Sequence, residues 1–185
     1  MKLLQILPIG NVEDGLLKDV RPAIEETFRV RCKVLPVRLD PEFAFHGERQ
    51  QQYHSSEILQ RMQSFLTAEC WRMLGIAAVD LYIPILTFVF GEAQMGGPCA
   101  VVSAHRLRQE FYGLPPDREL FRQRVIKEAV HEVGHTLNLT HCEDYRCAMA
   151  SSHAVEWIDL KESALCAACR AVVRLPTQVQ SDRNF

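Results

Sequence analysis

Residues 131–149 read HEVGHTLNLTHCEDYRCAM, and the helix that leads into this stretch, with the turn that must interrupt it, decides the fold. Ile126, Val130, Val133 and Leu137 recur at helical spacing, giving one apolar stripe on a helix from about Glu119 to Leu137. His131 and His135 are four apart, so their rings share a face about one turn from each other, with Glu132 between them. His141 comes six residues after His135. On a straight helix that is about 600° of rotation, which would turn His141 away from the other two. His141 joins them only if the helix stops and the chain reverses, which needs a residue tolerant of positive φ. Asn138 is the best non-glycine candidate.

HEVGH is the H-E-x-x-H pattern, in which two imidazoles grip one zinc ion and the glutamate can act on a water that the ion activates. A helix fixes both rings before metal arrives, which lowers the ordering cost. Three neutral histidines with a fourth position open make a catalytic site, because a structural zinc site closes all four positions. Cys142 follows His141 directly, and C-x4-C (Cys142, Cys147) plus C-x2-C (Cys166, Cys169) is the ligand set of a closed tetrahedral zinc. Cys32, Cys70 and Cys99 are isolated and read as small buried hydrophobes. Met149, two residues after Cys147, is expected to pack beneath the metal.

Upstream, residues 3–9 read as a short buried strand and Val12 to about Phe28 as an amphipathic helix. Residues 27–37 alternate like a half-buried strand, 38–54 look like a loop, and 55–69 carry apolar residues at helical spacing. Strands are expected over 73–83, 86–94 and 99–107, the last two separated by the turn signal Met95-Gly96-Gly97-Pro98, a candidate hairpin. This order argues for an α/β sandwich with a mixed sheet. The chain has 185 residues, enough for one compact core, and its 48% apolar and 24% charged residues exclude a disordered or coiled-coil chain. A net charge of −2 argues against a nucleic-acid binder and against a polybasic membrane anchor. The N-terminal segment MKLLQILPIGNVEDG is too interrupted for a signal peptide, and the longest apolar run, Leu81 to Gly91, is short of the ~20 residues of a membrane span.

The histidine motif resembles that of the metzincin metalloproteases, H-E-x-x-H-x-x-G-x-x-H followed by a Met-turn. His131, Glu132, His135 and His141 match it, and Asn138 stands where the family has glycine, at a strain of about 1 kcal/mol. With the adjacent Cys142, C-x4-C-x-M and the final C-x2-C, residues 131–169 are similar to the archaemetzincins in particular. The resemblance implies a metzincin-like α/β fold: a twisted mixed sheet with backing and active-site helices and a C-terminal zinc-knotted segment. It implies one peptidase domain over 1–185, with a sheet and helix part (1–118) and a part carrying the active-site helix, Met-turn and cysteines (119–185). It further implies two zinc ions per chain. The catalytic one is held by His131, His135 and His141, with Glu132 as general base and Met149 as the Met-turn residue. The structural one is held by Cys142, Cys147, Cys166 and Cys169. Because His141 and Cys142 are adjacent, the cysteine knot would anchor the loop that supplies the third histidine.

The implied activity is hydrolysis of peptide bonds in a peptide or protein substrate, which could add to an edge strand ending near Gly91-Glu92-Ala93. No nucleic-acid or membrane partner is expected; a monomer in the cytoplasm is the default. Two rivals stand beside this reading: a metal-dependent ribonuclease with three histidines, and a non-enzymatic zinc module degenerate at Asn138. Glu132 beside the first histidine favours peptide hydrolysis. His46, His54, His105 and His153 lack ligand spacing, and Arg118, Arg122, Arg124 and Lys127 read as a solvated face. Tyr145, between the two zinc motifs, is a minor candidate for oxyanion stabilisation.

Overall fold

The computed structural model describes residues 2–47 and 51–174. Residues 175–185, the end of the expected domain, and 48–50, in the expected loop, lie outside the described residues. The elements run β1 (Leu3–Ile9), α1 (Asp14–Phe28), β2 (Arg31–Val34), β3 (Phe45–His46), β4 (Gln52–His54), α2 (Ser55–Met62), β5 (Cys70–Ala77), β6 (Leu81–Ile83) and β7 (Leu86–Val89). They continue as β8 (Gly91–Ala93), β9 (Cys99–Ser103), α3 (Arg118–His135), α4 (Val155–Leu160) and α5 (Ala167–Arg174).

The main sheet has the order β2-β1-β5-β9-β8. Its first four strands are parallel, and β8 joins antiparallel to β9, with Gly91 opposite Val102 and Ala93 opposite Ala100. The hairpin expected at Gly96-Gly97 is therefore present, and it leaves β8 as an edge. Alternation along the strands sorts two cores. Leu4, Ile6, Leu74, Ile76, Ala100 and Val102 face α1 and α3. Leu7, Ile9, Met73, Ala77, Cys99 and Val101 face the layer that contains α2. Strands covered on both faces explain the nearly unbroken apolar runs of β1 and β9.

Three expected segments are divided differently. The run 73–83 splits into β5 and β6, which belong to different sheets, and 86–94 splits at Phe90 into β7 and β8. The expected loop 38–54 contains β3 and β4, which complete a small sheet in the order β3-β4-β6-β7. Strands of two to four residues carry too little periodicity to be read, and the sheet switch is set by pairing rather than by composition. Buried Asp80 fastens the junction: it takes two hydrogen bonds from Arg106 (2.8 and 2.7 Å) and one from Gln52 (3.0 Å). The Arg106 guanidinium lies over the Phe88 ring, which holds β7 beside the main sheet.

Candidate active site and metal centres

Helix α3 starts at an Asp117 cap, whose carboxylate accepts from the Leu120 N–H at 2.9 Å. Every side chain from Arg124 to Gly134 is buried, so this half of the helix runs through the protein interior. The helix ends at His135, and Asn138 takes φ 63°, the left-handed conformation that the spacing requires. The Leu139 N–H then donates back to the Gly134 carbonyl at 3.2 Å, closing the reversal.

That reversal brings the three histidines together, with ring centroids 4.5, 5.3 and 5.1 Å apart. His131 Nδ1 lies 2.9 Å from the Ala148 carbonyl and His135 Nδ1 lies 2.7 Å from the Leu139 carbonyl. A carbonyl only accepts, so each Nδ1 carries the proton and each Nε2 keeps a lone pair. Those two Nε2 atoms face each other at 3.0 Å. Two lone pairs so placed repel unless a cation lies between them, and a tetrahedral zinc with nitrogens at about 2.05 Å separates them by about 3.3 Å. Burial pushes His131 well below its ordinary pKa and lowers His135 and His141 as well, which keeps all three neutral.

The four cysteines form a second cluster, their sulfurs within 4.8 Å of one another. Cys142 Sγ and Cys166 Sγ are 3.8 Å apart, the edge of a tetrahedron with zinc–sulfur bonds of about 2.3 Å. Backbone N–H groups of Met149 and Cys166 point at Cys147 Sγ (3.5 and 3.3 Å), and that of Cys169 points at Cys166 Sγ (3.5 Å). Such donors favour thiolates, and the Cys169 N–H is the first cause of the lowered Cys166 pKa. Burial raises Cys142 and Cys169 within the cluster, and it pushes the isolated Cys32 and Cys99 up to about 12. A pKa so raised leaves Cys32 and Cys99 protonated, hence unreactive, at pH 8. Iodoacetamide at that pH should spare Cys32 and Cys99 in the folded protein, while chelator treatment exposes the four clustered cysteines to labelling. Peptide mass spectrometry reads this directly, and labelling of Cys32 at the rate of the freed cluster would contradict it.

Met149 is fully buried, with its sulfur against Gly134 of α3. A Cβ on Gly134 would lie 2.4 Å from Met149 Sδ, so the glycine of HEVGH is there to let the turn close onto the helix. A second glycine sets the glutamate. A Cβ on Gly91 would lie 2.6 Å from both Cγ and Oε1 of Glu132, so the carboxylate rests on the bare backbone of β8. Gly91→Ala must displace it, and a misplacement of this size should lower turnover about a hundredfold without changing the zinc content. Zinc content measured beside kcat checks this; unchanged kcat would show that Glu132 need not sit there. Burial is the main reason the Glu132 pKa is raised well above the usual carboxylate range, with Glu128 and Glu92 adding to it.

Asn138 has a matching glycine. The Gly96 and Asn138 N–H groups both donate to the His135 carbonyl at 3.0 Å, and a Cβ on Gly96 would lie 2.5 Å from Asn138 Oδ1. The hairpin carrying the edge strand is thus fastened to the turn that delivers His141. Gly96→Ala should cost about 2–3 kcal/mol, from overpacking plus a side chain at positive φ. In an Asn138→Gly background it should cost only about 1 kcal/mol, the conformational part. Equal costs in a denaturation double-mutant cycle would refute the contact.

The cleft over these groups has a cavity volume of about 530 Å³ and is bounded by 86–93, α3 and 151–153. Glu92 fastens β8 to the start of α2, accepting from Ser55 Oγ (2.5 Å) and Ser56 Oγ (2.8 Å). His153 lines the cleft; His46, His54 and His105 do not. Tyr145 is 68% exposed and does not line it, which removes it as an oxyanion donor.

The expectation of a solvated face fails for Arg124 and Lys127, both buried. Arg124 makes a two-pronged pair with Asp159 (2.7 and 2.6 Å), and Lys127 Nζ donates to the carbonyls of Ile158 and Asp159 at the end of α4. Spacing within α3 gives no sign of partners more than thirty residues downstream. Lys161, which the motifs did not single out, follows α4. Its side chain is fully buried, with Nζ 2.8 Å from Glu128 Oε1 and donating to the Ala150 carbonyl at 3.1 Å. Three cationic side chains thus clamp the segment after Met149 onto α3.

With this geometry in hand, comparison with known proteins is decisive. The sequence model of peptidase family M54 matches residues 13–174. The chain belongs to peptidase family M54, the archaemetzincins. It is 42% identical to the Methanocaldococcus jannaschii archaemetzincin over 164 residues, 89% of this chain and 88% of that one. It is 36% identical to the Thermococcus kodakarensis archaemetzincin over 174 residues, 91% and 94% of the two chains. The crystal structure of the Methanopyrus kandleri archaemetzincin, 32% identical, superposes with a TM-score of 0.79 over 93% of both chains. That of the Archaeoglobus fulgidus archaemetzincin complexed with malonate, 33% identical, gives 0.78 over 92% of this chain and 99% of that one. As an M54 member the protein is a zinc metallopeptidase, and both the histidine triad and the four-cysteine cluster are formed. Among the described residues no helix is long and apolar enough to cross a membrane.

Proposed function

We propose that the chain hydrolyses peptide bonds with Glu132 as general base, holds catalytic zinc on His131, His135 and His141, and holds a second, structural zinc on Cys142, Cys147, Cys166 and Cys169. The observation that carries this reading is the pair of unprotonated Nε2 atoms facing each other at 3.0 Å beside a buried Glu132. Zinc bound there would supply Lewis acidity, polarising the substrate carbonyl and making a water acidic enough to attack it. Glu132, buried beside the triad, would take a proton from the attacking water as its oxygen adds to the carbonyl carbon. It then gives the proton to the amine nitrogen as the C–N bond breaks, so the base is regenerated. The free edge of β8 offers backbone groups to an extended peptide, which would lie across Gly91 and therefore beside the Glu132 carboxylate. Met149 supports the site from below by packing, and the cysteine knot steadies the loop that carries His141. Residues 1–185 act as one peptidase domain, with peptide rather than nucleic acid as substrate. Seven cysteines without a disulfide suit a reducing, cytoplasmic setting.

The test is a digest of a mixed peptide library by the purified protein, with zinc per chain counted by native mass spectrometry. Two zincs and cleavage that stops with a chelator are expected. Two zincs with no cleavage would favour a non-enzymatic zinc module; one zinc retained in His131→Ala would mean the triad does not hold its metal.

A further inference from the structure

We propose that Glu128 forms the floor of a subsite in this cleft for a long substrate side chain ending in a hydrogen-bond donor, with Lys161 as the positioning residue that holds the carboxylate. The proposal rests on the peptidase reading above and adds the class of side chain the site selects. Glu128 lies one turn before Glu132 on the same face of α3 and lines the same cleft, together with Thr87, Phe88, Ser151 and Ser152. Its side chain is 4% exposed, and its partner is the Lys161 ammonium, 2.8 Å from Oε1 but without hydrogen-bond alignment. A carboxylate has about four acceptor sites, and a buried one is ordinarily met by several donors. Ser152 Oγ, which belongs to another lining segment of the cleft, is also buried without a hydrogen-bond partner.

The cleft's other peripheral carboxylate makes the contrast. Glu92 has one serine hydroxyl on each oxygen, so neither of its oxygens lacks a donor. Glu128 and Ser152 therefore bring polar groups with unused capacity to the lining of a cleft that Phe88 also lines. An apolar side chain entering there leaves them unmet; a Gln, Lys or Arg side chain is long enough to reach in and donate. The Lys161 ammonium also donates to the Ala150 carbonyl, which fixes its position and so sets where the carboxylate sits.

The test compares matched peptides that differ only beside the cleaved bond, Gln against Met and Lys against norleucine. The ratio of kcat/KM within each pair cancels the amount of active enzyme. The wild-type protein should favour the donor-bearing peptide about tenfold or more at one position. Glu128→Gln should cut the Lys preference, and Glu128→Leu with Lys161→Met, which leaves no lone buried charge, should erase or invert both preferences. A wild-type ratio near one, or favouring Met and norleucine, overturns the proposal without needing any variant to fold. So does a variant that slows all peptides by one factor with ratios unchanged, the signature of a purely structural strut. A zinc-loaded wild type that cleaves no peptide defeats the peptidase reading itself, and the subsite falls with it.

Discussion

Glu132→Gln is expected to lower kcat by about a hundred- to ten-thousandfold while both zinc ions remain bound. The two effects separate because Glu132 is not among the groups that could hold metal. His131 and His135 are oriented through Nδ1 by the Ala148 and Leu139 carbonyls, and neither bond involves the glutamate. Glutamine keeps the shape that fits against Gly91 but cannot take a proton from water. Removing a buried negative charge next to Glu128 should leave the unfolding midpoint unchanged or slightly higher. Turnover on a peptide found by library digestion, measured beside zinc content and a melting curve, checks all three. A variant that works within a factor of a few of the wild type would remove Glu132 from the mechanism.

Lys161→Met should lower stability by about 3–5 kcal/mol. The loss is the penalty of leaving Glu128 buried without its counter-charge, rather than the net worth of the pair. At this chain length such a change lowers the thermal midpoint on the order of 10 °C. Glu128→Gln in the same chain should return most of the loss, because a neutral amide needs no counter-ion. If Lys161→Met melts within a degree or two of the wild type, or if the double variant is no better than the single, the ion pair does not hold the segment.

The clustering of the three histidines beside Glu132 is largely legible in the order of residues because its parts are local. His131, Glu132 and His135 need only the 3.6-residue period to share a face, and Asn138 was identifiable because six residues to His141 require a reversal. The C-x4-C and C-x2-C pairs are likewise short-range geometry, and Met95-Gly96-Gly97-Pro98 did make its hairpin. Gly134 carries a further local signal. A glycine in the middle of a helix costs about 1 kcal/mol relative to alanine, so Gly134 pointed to a close neighbour, although nothing nearby in sequence named Met149.

Residues brought together from distant segments were not readable in this way. Gly91 is an ordinary strand residue until Glu132 is laid against it, and Gly96 an ordinary turn glycine until Asn138 is. Arg124 and Lys127 have the composition of a solvated face, and only the docking of α4 buries them. The same holds for Glu128 and Lys161, and for the switch at Phe90 that sends β7 to one sheet and β8 to the other. Spacing along the chain specifies which ligands one helix and one turn can present, because those distances follow from backbone geometry alone. Which side chains are desolvated, which glycines must stay bare and where the substrate edge lies depend on which segments meet, and that is decided by burial summed over the whole core.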